Sequence, residues 1–182
     1  MSVQQLCLSP LTKGLFHKAI MSSGGGVSKL LSSPKEEKQY EFTKKMMDYA
    51  SCTTLEELRK LPVKKLFEAW NEAKKGLMSM PSIPVIDGVF IVDSASNIVK
   101  RKEHHLIPYM MGSNSEDMFP PLMHSMTKSW CQKQDIPCYC YLFNHQLPGD
   151  NEGAWHSADL WYFFGTLDNC WRDMKDVDYN LS

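Results

Sequence analysis

Three short apolar segments, each followed by a loop of small or polar residues, most constrain how this 182-residue chain can fold. They are residues 15–21, 108–111 and 138–143. Charged, periodic segments typical of helices lie between or beside them, at 34–50, 94–102 and 120–133. Strands that alternate with helices in this way predict an α/β protein with a mostly parallel sheet and flanking helices.

The charge and cysteine content exclude several classes of function. The net charge is −1 and the sequence pI is about 6.6, so no electrostatic field favours nucleic acid or an acidic membrane surface. No apolar run is long enough to span a bilayer. The six cysteines form no CxxC pair, which argues against structural zinc and favours reduced thiols in a cytoplasm.

Two of the loops after predicted strands carry side chains suited to acid–base chemistry. Glu116 and Asp117 follow YMMG, and His156 follows CYCYLF at a longer interval. A carboxylate and then a histidine, each after a strand, is the order of the acid and base in an α/β-hydrolase triad. The alternatives are that the histidine packs among the neighbouring aromatic side chains and that the two acids cap the next helix.

Five stretches, in order along the chain, carry a family resemblance. They are SPLTKGLFHKAIMSSGGGV, PVIDGVFI, IPYMMGSNSEDM, PCYCYLF and GAWHSADLWYFFGTL. Together they resemble the type-B carboxylesterases, α/β-hydrolases that include cholinesterases and bacterial para-nitrobenzyl esterases. The resemblance runs from residue 1 to about residue 172. It implies that residues 1–182 are one portion of a single α/β-hydrolase domain, without the early strands of its sheet.

The resemblance also implies roles for four residues. The family's triad acid lies five residues after a loop glycine, and counting from Gly112 gives Asp117, with Glu116 as the second candidate. Animal members usually have Glu at this position. His156 matches the family's catalytic histidine, and Ser23 matches a serine that supports the triad acid, with a simple turn residue as its alternative.

The nucleophile of such a triad is not found in this chain. The nucleophile elbow is Gly-x-Ser-x-Gly, and the one glycine pair with that spacing, Gly149 and Gly153, has Asn151 at the serine position. We expect the elbow, the oxyanion loop and the early strands to precede Met1, and a terminal helix to follow Ser182. The interval of 39 positions from Asp117 to His156 is short, which indicates a compact bacterial-like form or an internal deletion.

The expected function is therefore that of a carboxylic-ester hydrolase portion that is inactive and poorly stable alone. In the complete enzyme it would act on a small-molecule ester, without a metal or cofactor. Trp155 and Trp161 could shape the substrate pocket, whereas Phe163 and Phe164 are expected in the core. The alternatives are a serine-less interaction protein, one half of a split esterase whose upstream polypeptide supplies the nucleophile, and a truncated product without a function.

Overall fold

The computed structural model describes residues 1–28, 33–76 and 83–182. In chain order the described helices are α1 (Ser2–Leu8), α2 (Glu36–Ala50), α3 (Leu55–Lys60), α4 (Val63–Lys74), α5 (Ala95–Lys100), α6 (Pro120–Cys131), α7 (Leu160–Phe163) and α8 (Asp176–Leu181). Short 3₁₀ helices span Pro10–Thr12 and Leu167–Asn169. The chain divides into two compact units, residues 1–30 with 95–182 and residues 31–94.

The first unit is built on a parallel sheet in the order β1 (Ala19–Ser22), β2 (Tyr109–Asn114) and β3 (Cys138–Phe143). Ser22 is in register with Gly112, and Gly112 with Tyr141. Because the strands are parallel, the loops that leave their carboxyl ends meet at one edge of the sheet, where open α/β sheets place their functional residues.

One face of this sheet is covered by helices α1, α5 and α6. Alternate strand residues point to the same face, and four of these, in β1 and β2, are buried there: Ala19, Met21, Tyr109 and Met111. The helices contribute the buried residues Cys7, Leu8, Ile98, Val99 and Trp130 to the same cluster. This burial of apolar surface is the main favourable contribution to the stability of the unit.

A second, smaller cluster forms beyond β3. Its buried members are Leu147, Ala158, Tyr162 and Leu167. They belong to the segment that carries His156 and to the turns that follow it. Asp178, in the first turn of α8, is also buried and accepts a hydrogen bond of 2.6 Å from the hydroxyl of Tyr162. The cluster thereby connects the histidine segment to the last helix of the described chain.

The second unit consists mainly of α2, α3 and α4, of which α2 packs against α4. A capping box begins α3: Thr54 Oγ1 accepts the N–H of Glu57, whose carboxylate accepts the N–H of Thr54. The PVIDGVFI stretch forms a turn, preceded by one isolated parallel bridge between Ile86 and Lys35. There Asp87 Oδ1 accepts the N–H groups of Val89, Phe90 and Ile91, which satisfies the backbone without a paired strand.

The predicted α/β fold with a parallel sheet and flanking helices is confirmed, although two strand bounds differ. β1 begins at Ala19, because the preceding segment is a turn in which Leu15 is 73% exposed. β2 continues to Asn114, since its loop residues still pair with β3. In the part of the chain that the structure describes, no helix has the length and apolarity needed to cross a membrane.

Candidate active site

The loop after β2 buries the carboxylate of Asp117 against its own backbone. The Asp117 N–H donates to the carbonyl of Asn114 over 3.3 Å, which closes a tight turn. The backbone N–H of Met118 donates to Oδ1 over 2.9 Å and that of Asn114 to Oδ2 over 3.4 Å. Helix α6 has no side-chain cap at its N-terminus, so neither acid of this loop has the capping role considered above.

His156 meets this carboxylate from the other loop. Its Nδ1 lies 2.6 Å from Oδ1 of Asp117. The Asp117 side chain is 2% exposed and the His156 side chain 49% exposed. An ionised carboxylate only accepts hydrogen bonds, so Nδ1–H of the imidazole donates to it and, in the neutral ring, Nε2 keeps its lone pair. The arrangement can hold one tautomer while leaving half of the ring open to a reactant.

The environment of Asp117 favours its ionised form. Burial raises the pKa of the carboxyl, but hydrogen bonds and neighbouring dipoles outweigh that effect and the pKa lies below its ordinary value. The lowering groups are the hydroxyl of Ser23, the imidazole of His156 and the N–H groups of Met118 and Asn114. Asp117 is therefore negatively charged at neutral pH, and both of its oxygens act only as hydrogen-bond acceptors.

Ser23, the residue that the resemblance assigns to the support of the acid, lies in the turn after β1. The N–H of Ser23 donates to the carbonyl of Gly112 over 2.8 Å. This hydrogen bond attaches the turn that follows β1 to the neighbouring strand β2. The Ser23 hydroxyl is near enough to lower the pKa of Asp117, yet Oγ is buried and makes no hydrogen bond among the described residues.

Glu116, the second candidate for the acid, is exposed and does not contact the imidazole through its carboxylate. Its N–H donates to the carbonyl of Ala154 over 3.0 Å, and its backbone pairs with Trp155. A Cβ atom on Gly153 would lie 2.7 Å from Cγ of Glu116, so the two loops pack closely here. The structure brings Asp117 to His156 and uses Glu116 to align the loops.

A buried polar network beneath this pair was missed in the sequence. Asp159 is fully buried and accepts hydrogen bonds from one residue of each strand: Ser22 Oγ at 2.5 Å, Asn114 Nδ2 at 3.3 Å and Tyr141 OH at 3.3 Å. Asn114 Nδ2 also donates to the carbonyl of Trp155 over 2.6 Å. The sequence does contain one indication of this network, because Asp159 stands beside a run of aromatic residues. A carboxylate that is buried among such residues requires hydrogen-bond donors from elsewhere in the fold.

Backbone strain is concentrated at the same place. Five residues other than glycine have positive φ in the described chain, and three of them flank the pair: Ser23 at 48°, Phe119 at 53° and Ser157 at 75°. Left-handed backbone is unfavourable for residues with a Cβ atom and is retained where surrounding contacts enforce it. Such strain recurs at functional sites.

The burial of the aromatic residues around His156 differs in part from the burial that we predicted. Trp155 and Trp161 are half-buried and pack against the second cluster, and Trp161 contacts Trp171 edge-on with ring centroids 5.7 Å apart. The prediction that Phe163 and Phe164 lie in the core is wrong, since they are 40% and 74% exposed. Helix α7 ends after about one turn, so the aromatic run does not keep one face towards the core.

Neither a cluster of metal-binding side chains nor the cavity described below coincides with this pair in the part of the chain that the structure describes. Among residues 1–28, 33–76 and 83–182, no group of three His, Cys, Asp or Glu side chains is arranged to hold a metal ion. A cavity lies between the turn at 148–150 and residues 171–175, and neither Asp117 nor His156 lines it.

Known proteins with similar sequences include carboxylesterases. The chain is 32% identical over 133 residues to liver carboxylesterase 1 of Oryctolagus cuniculus, covering 64% of this chain and 23% of that protein. It is 29% identical over 138 residues to carboxylesterase 5A of Ovis aries, covering 70% of this chain and 35% of that protein. The chain thus spans about a quarter to a third of the length of these relatives.

Solved esterase structures share the fold. A thermophilic PNB esterase superimposes with a TM-score of 0.76 at 16% identity, over 99% of this chain and 49% of that one. At this identity the likeness shows the fold, which is part of an α/β-hydrolase. The model of the carboxylesterase family matches residues 1–129, which is more than half of the sequence. The chain therefore belongs to the carboxylesterase family.

Proposed function

We propose that this chain carries the acid and the base of a serine-esterase triad, Asp117 and His156, in a carboxylic-ester hydrolase that acts on a small-molecule ester. The observation that supports it best is the 2.6 Å contact between the buried carboxylate and the half-exposed imidazole. Membership of the carboxylesterase family also supports a role in ester hydrolysis. Both units would then belong to one α/β-hydrolase domain.

Each group has a defined part in the proposed reaction. Asp117 accepts Nδ1–H and holds His156 in the tautomer whose Nε2 is basic. Nε2 takes the proton of the nucleophilic serine as its oxygen attacks the ester carbonyl, and returns that proton to the departing alcohol. In the second half Nε2 takes a proton from water as the water oxygen attacks the acyl-enzyme, and returns that proton to the serine oxygen as the acid is released. Asp117 stabilises the imidazolium formed in both halves.

The nucleophilic serine would come from outside residues 1–182. No Gly-x-Ser-x-Gly occurs in the sequence, and the chain spans only part of its relatives. It would be supplied either by a preceding part of a longer protein or by a separate upstream polypeptide. The proposed reaction needs no metal and no cofactor, and the small-molecule ester is its only substrate besides water. Ser23 would keep Asp117 ionised and in place.

Complementation tests this proposal. This chain would be co-expressed with the N-terminal part of a carboxylesterase that ends after its nucleophile elbow, and hydrolysis of a short-chain nitrophenyl ester measured. We expect turnover only when both polypeptides are present. Asp117→Asn should lower the rate by about 10⁴-fold, because the amide favours the wrong imidazole tautomer. Glu116→Gln is the matched control and should hydrolyse the ester at close to the parent rate.

Two outcomes would contradict the proposal. Turnover that is unaffected by His156→Ala would remove His156 from the reaction. Co-purification of the two polypeptides without any turnover would favour a serine-less interaction protein instead. Sequencing the DNA upstream of the Met1 codon is an independent test, because a Gly-x-Ser-x-Gly elbow should be encoded there in frame or in a neighbouring gene.

A further inference from the structure

Three thiols converge where the end of α6 meets β3. Cys131 is the last residue of α6, and Cys138 and Cys140 are two positions apart in β3. The sulfur atoms of Cys131 and Cys140 are 3.3 Å apart. All three cysteines are free thiols in the structure. We call Cys131, Cys138 and Cys140 the thiol cluster.

The sheet geometry explains why these residues meet. Residues two apart in a strand point to the same face. Cys138 is in register with Tyr109 and Cys140 with Met111, so both thiols point to the face that α6 covers. Helix α6 contacts both β2 and β3, which places its last residue over this pair. The cluster is therefore produced by the strand register and is not visible as a sequence motif.

The three thiols differ in their exposure to solvent. Cys140 is exposed, whereas Cys131 and Cys138 are half-buried. Burial raises the pKa of Cys131, and the adjacent thiols of Cys138 and Cys140 raise it further. Burial also raises the pKa of Cys138. A dissolved reagent would therefore reach Cys140 first and find the other two thiols protonated and shielded.

We propose that Cys131 and Cys140 form a reversible disulfide in exchange with a low-molecular-weight disulfide such as oxidised glutathione. The thiolate of Cys140 attacks one sulfur of that disulfide, which breaks its S–S bond and releases one thiolate. The Cys131 thiol then loses its proton and attacks Sγ of Cys140, which expels the second thiolate. Two protein thiols are oxidised and one small disulfide is reduced to two thiols.

This bond would link the two elements that extend from the candidate active site. Helix α6 begins three residues after Asp117, and β3 leads into the segment that carries His156. Closing the short loop between Cys131 and Cys140 restricts the unfolded chain, so oxidation should stabilise the unit. The proposal rests on the thiol cluster alone and does not depend on esterase activity.

Peptide mapping of the full chain tests the pairing. The protein would be equilibrated with oxidised and reduced glutathione, its remaining thiols alkylated, and the product digested with trypsin. Cys131 then lies in the peptide 129–133, and Cys138 and Cys140 lie in the peptide 134–172. We expect these two peptides to be linked and the intact protein to lose two hydrogens. Excess reduced glutathione should reverse both changes.

Serine variants identify the partner of Cys131. Cys140→Ser should abolish the linked peptides, whereas Cys138→Ser should retain them. Cys170→Ser is the matched control, because Cys170 lies in the same tryptic peptide and should not matter. Cys7 is fully buried and reports on folding, since its alkylation would reveal an unfolded chain.

Three results would overturn the proposal. They are linked peptides that persist in Cys140→Ser, wild-type protein that carries only glutathione adducts on unlinked peptides, and a link that forms only under conditions in which Cys7 is alkylated. Fragmentation of the linked wild-type peptides in the mass spectrometer locates the bonded cysteine within 134–172, so a decision is possible even where a variant folds poorly.

Discussion

Ser22, the last residue of β1, donates a hydrogen bond of 2.5 Å to the buried carboxylate of Asp159, which follows His156 by three positions. Asn114 and Tyr141 donate to the same carboxylate from β2 and β3. The segment that carries His156 is thus attached to all three strands by one side chain. The position of the imidazole therefore depends on the sheet as well as on its contact with Asp117.

Replacing Asp159 should destabilise the first unit strongly. Asp159→Ala removes the buried acceptor of the buried Asn114 amide and of the half-buried hydroxyls of Ser22 and Tyr141, and we expect a loss of about 2–4 kcal/mol in the free energy of unfolding. The matched control is Asp168→Ala, which removes a carboxylate that accepts a tyrosine hydroxyl at an exposed site. There we expect a change within about 0.5 kcal/mol. Urea denaturation followed by tryptophan fluorescence measures both, and equal losses would contradict the role of the network.

The hydroxyl of Tyr162 should stabilise the attachment of α8. It donates to Asp178 over 2.6 Å in a buried site, where Nε2 of His145 also lies 2.7 Å from the carboxylate. Tyr162→Phe should cost about 1–2 kcal/mol, because a buried charged acceptor loses one donor. Tyr179→Phe removes an exposed hydroxyl from Asp168 and serves as control, with an expected cost below about 0.5 kcal/mol. The same denaturation experiment would contradict the prediction if the two variants behaved alike.

Gly26 should tolerate no side chain. Its φ is 111°, and a Cβ atom would lie 2.5 Å from the backbone carbonyl of Met126 in α6. Gly26→Ala combines backbone strain with a clash against atoms that cannot rotate away, so we expect a loss of more than about 2 kcal/mol. Gly14 has a φ of 83°, but no atom lies within 4 Å of the added Cβ atom. Gly14→Ala therefore measures the backbone strain without a clash, and we expect it to lower the free energy of unfolding by about 1 kcal/mol. A thermal melt of each variant gives the comparison, and a Gly26 variant as stable as the Gly14 variant would disprove close packing at Met126.

Acid should destabilise the protein through two buried carboxylates. The pKa values of Asp117 and Asp178 lie below the ordinary value, because hydrogen bonds to each carboxylate outweigh the raising effect of burial. A depressed folded-state pKa contributes stability above the unfolded value of about 3.9, and this stability is lost as the pH falls below that value towards the folded pKa. The urea midpoint should therefore fall with pH below about 4.

Variants identify the source of that pH dependence. Asp117→Asn and Asp178→Asn should each be less stable at neutral pH and should show a weaker loss of stability on acidification, because neither variant can take up the proton. Glu116→Gln, which changes an exposed carboxylate in the same loop, is the matched control. An unchanged acid dependence in both asparagine variants would show that other groups are responsible.

The sequence alone determined the general architecture and the identity of the main candidates. The apolar segments and the loops after them predicted the parallel sheet, because strand and helix periodicities are local properties of the chain. β3 has the predicted bounds, residues 138–143. The order of family motifs placed an acid near residue 117 and a histidine at 156 before any contact was known. The catalytic roles themselves remain predictions.

The tertiary structure decided what local patterns leave open. Adjacent acids point in different directions, and only the packing of the two loops turned Asp117 towards His156 and left Glu116 in solvent. The donors to Asp159 come from three strands far apart in sequence. Strand register depends on pairing between distant segments, so neither this network nor the meeting of Cys131 with Cys140 could be predicted from residue spacing.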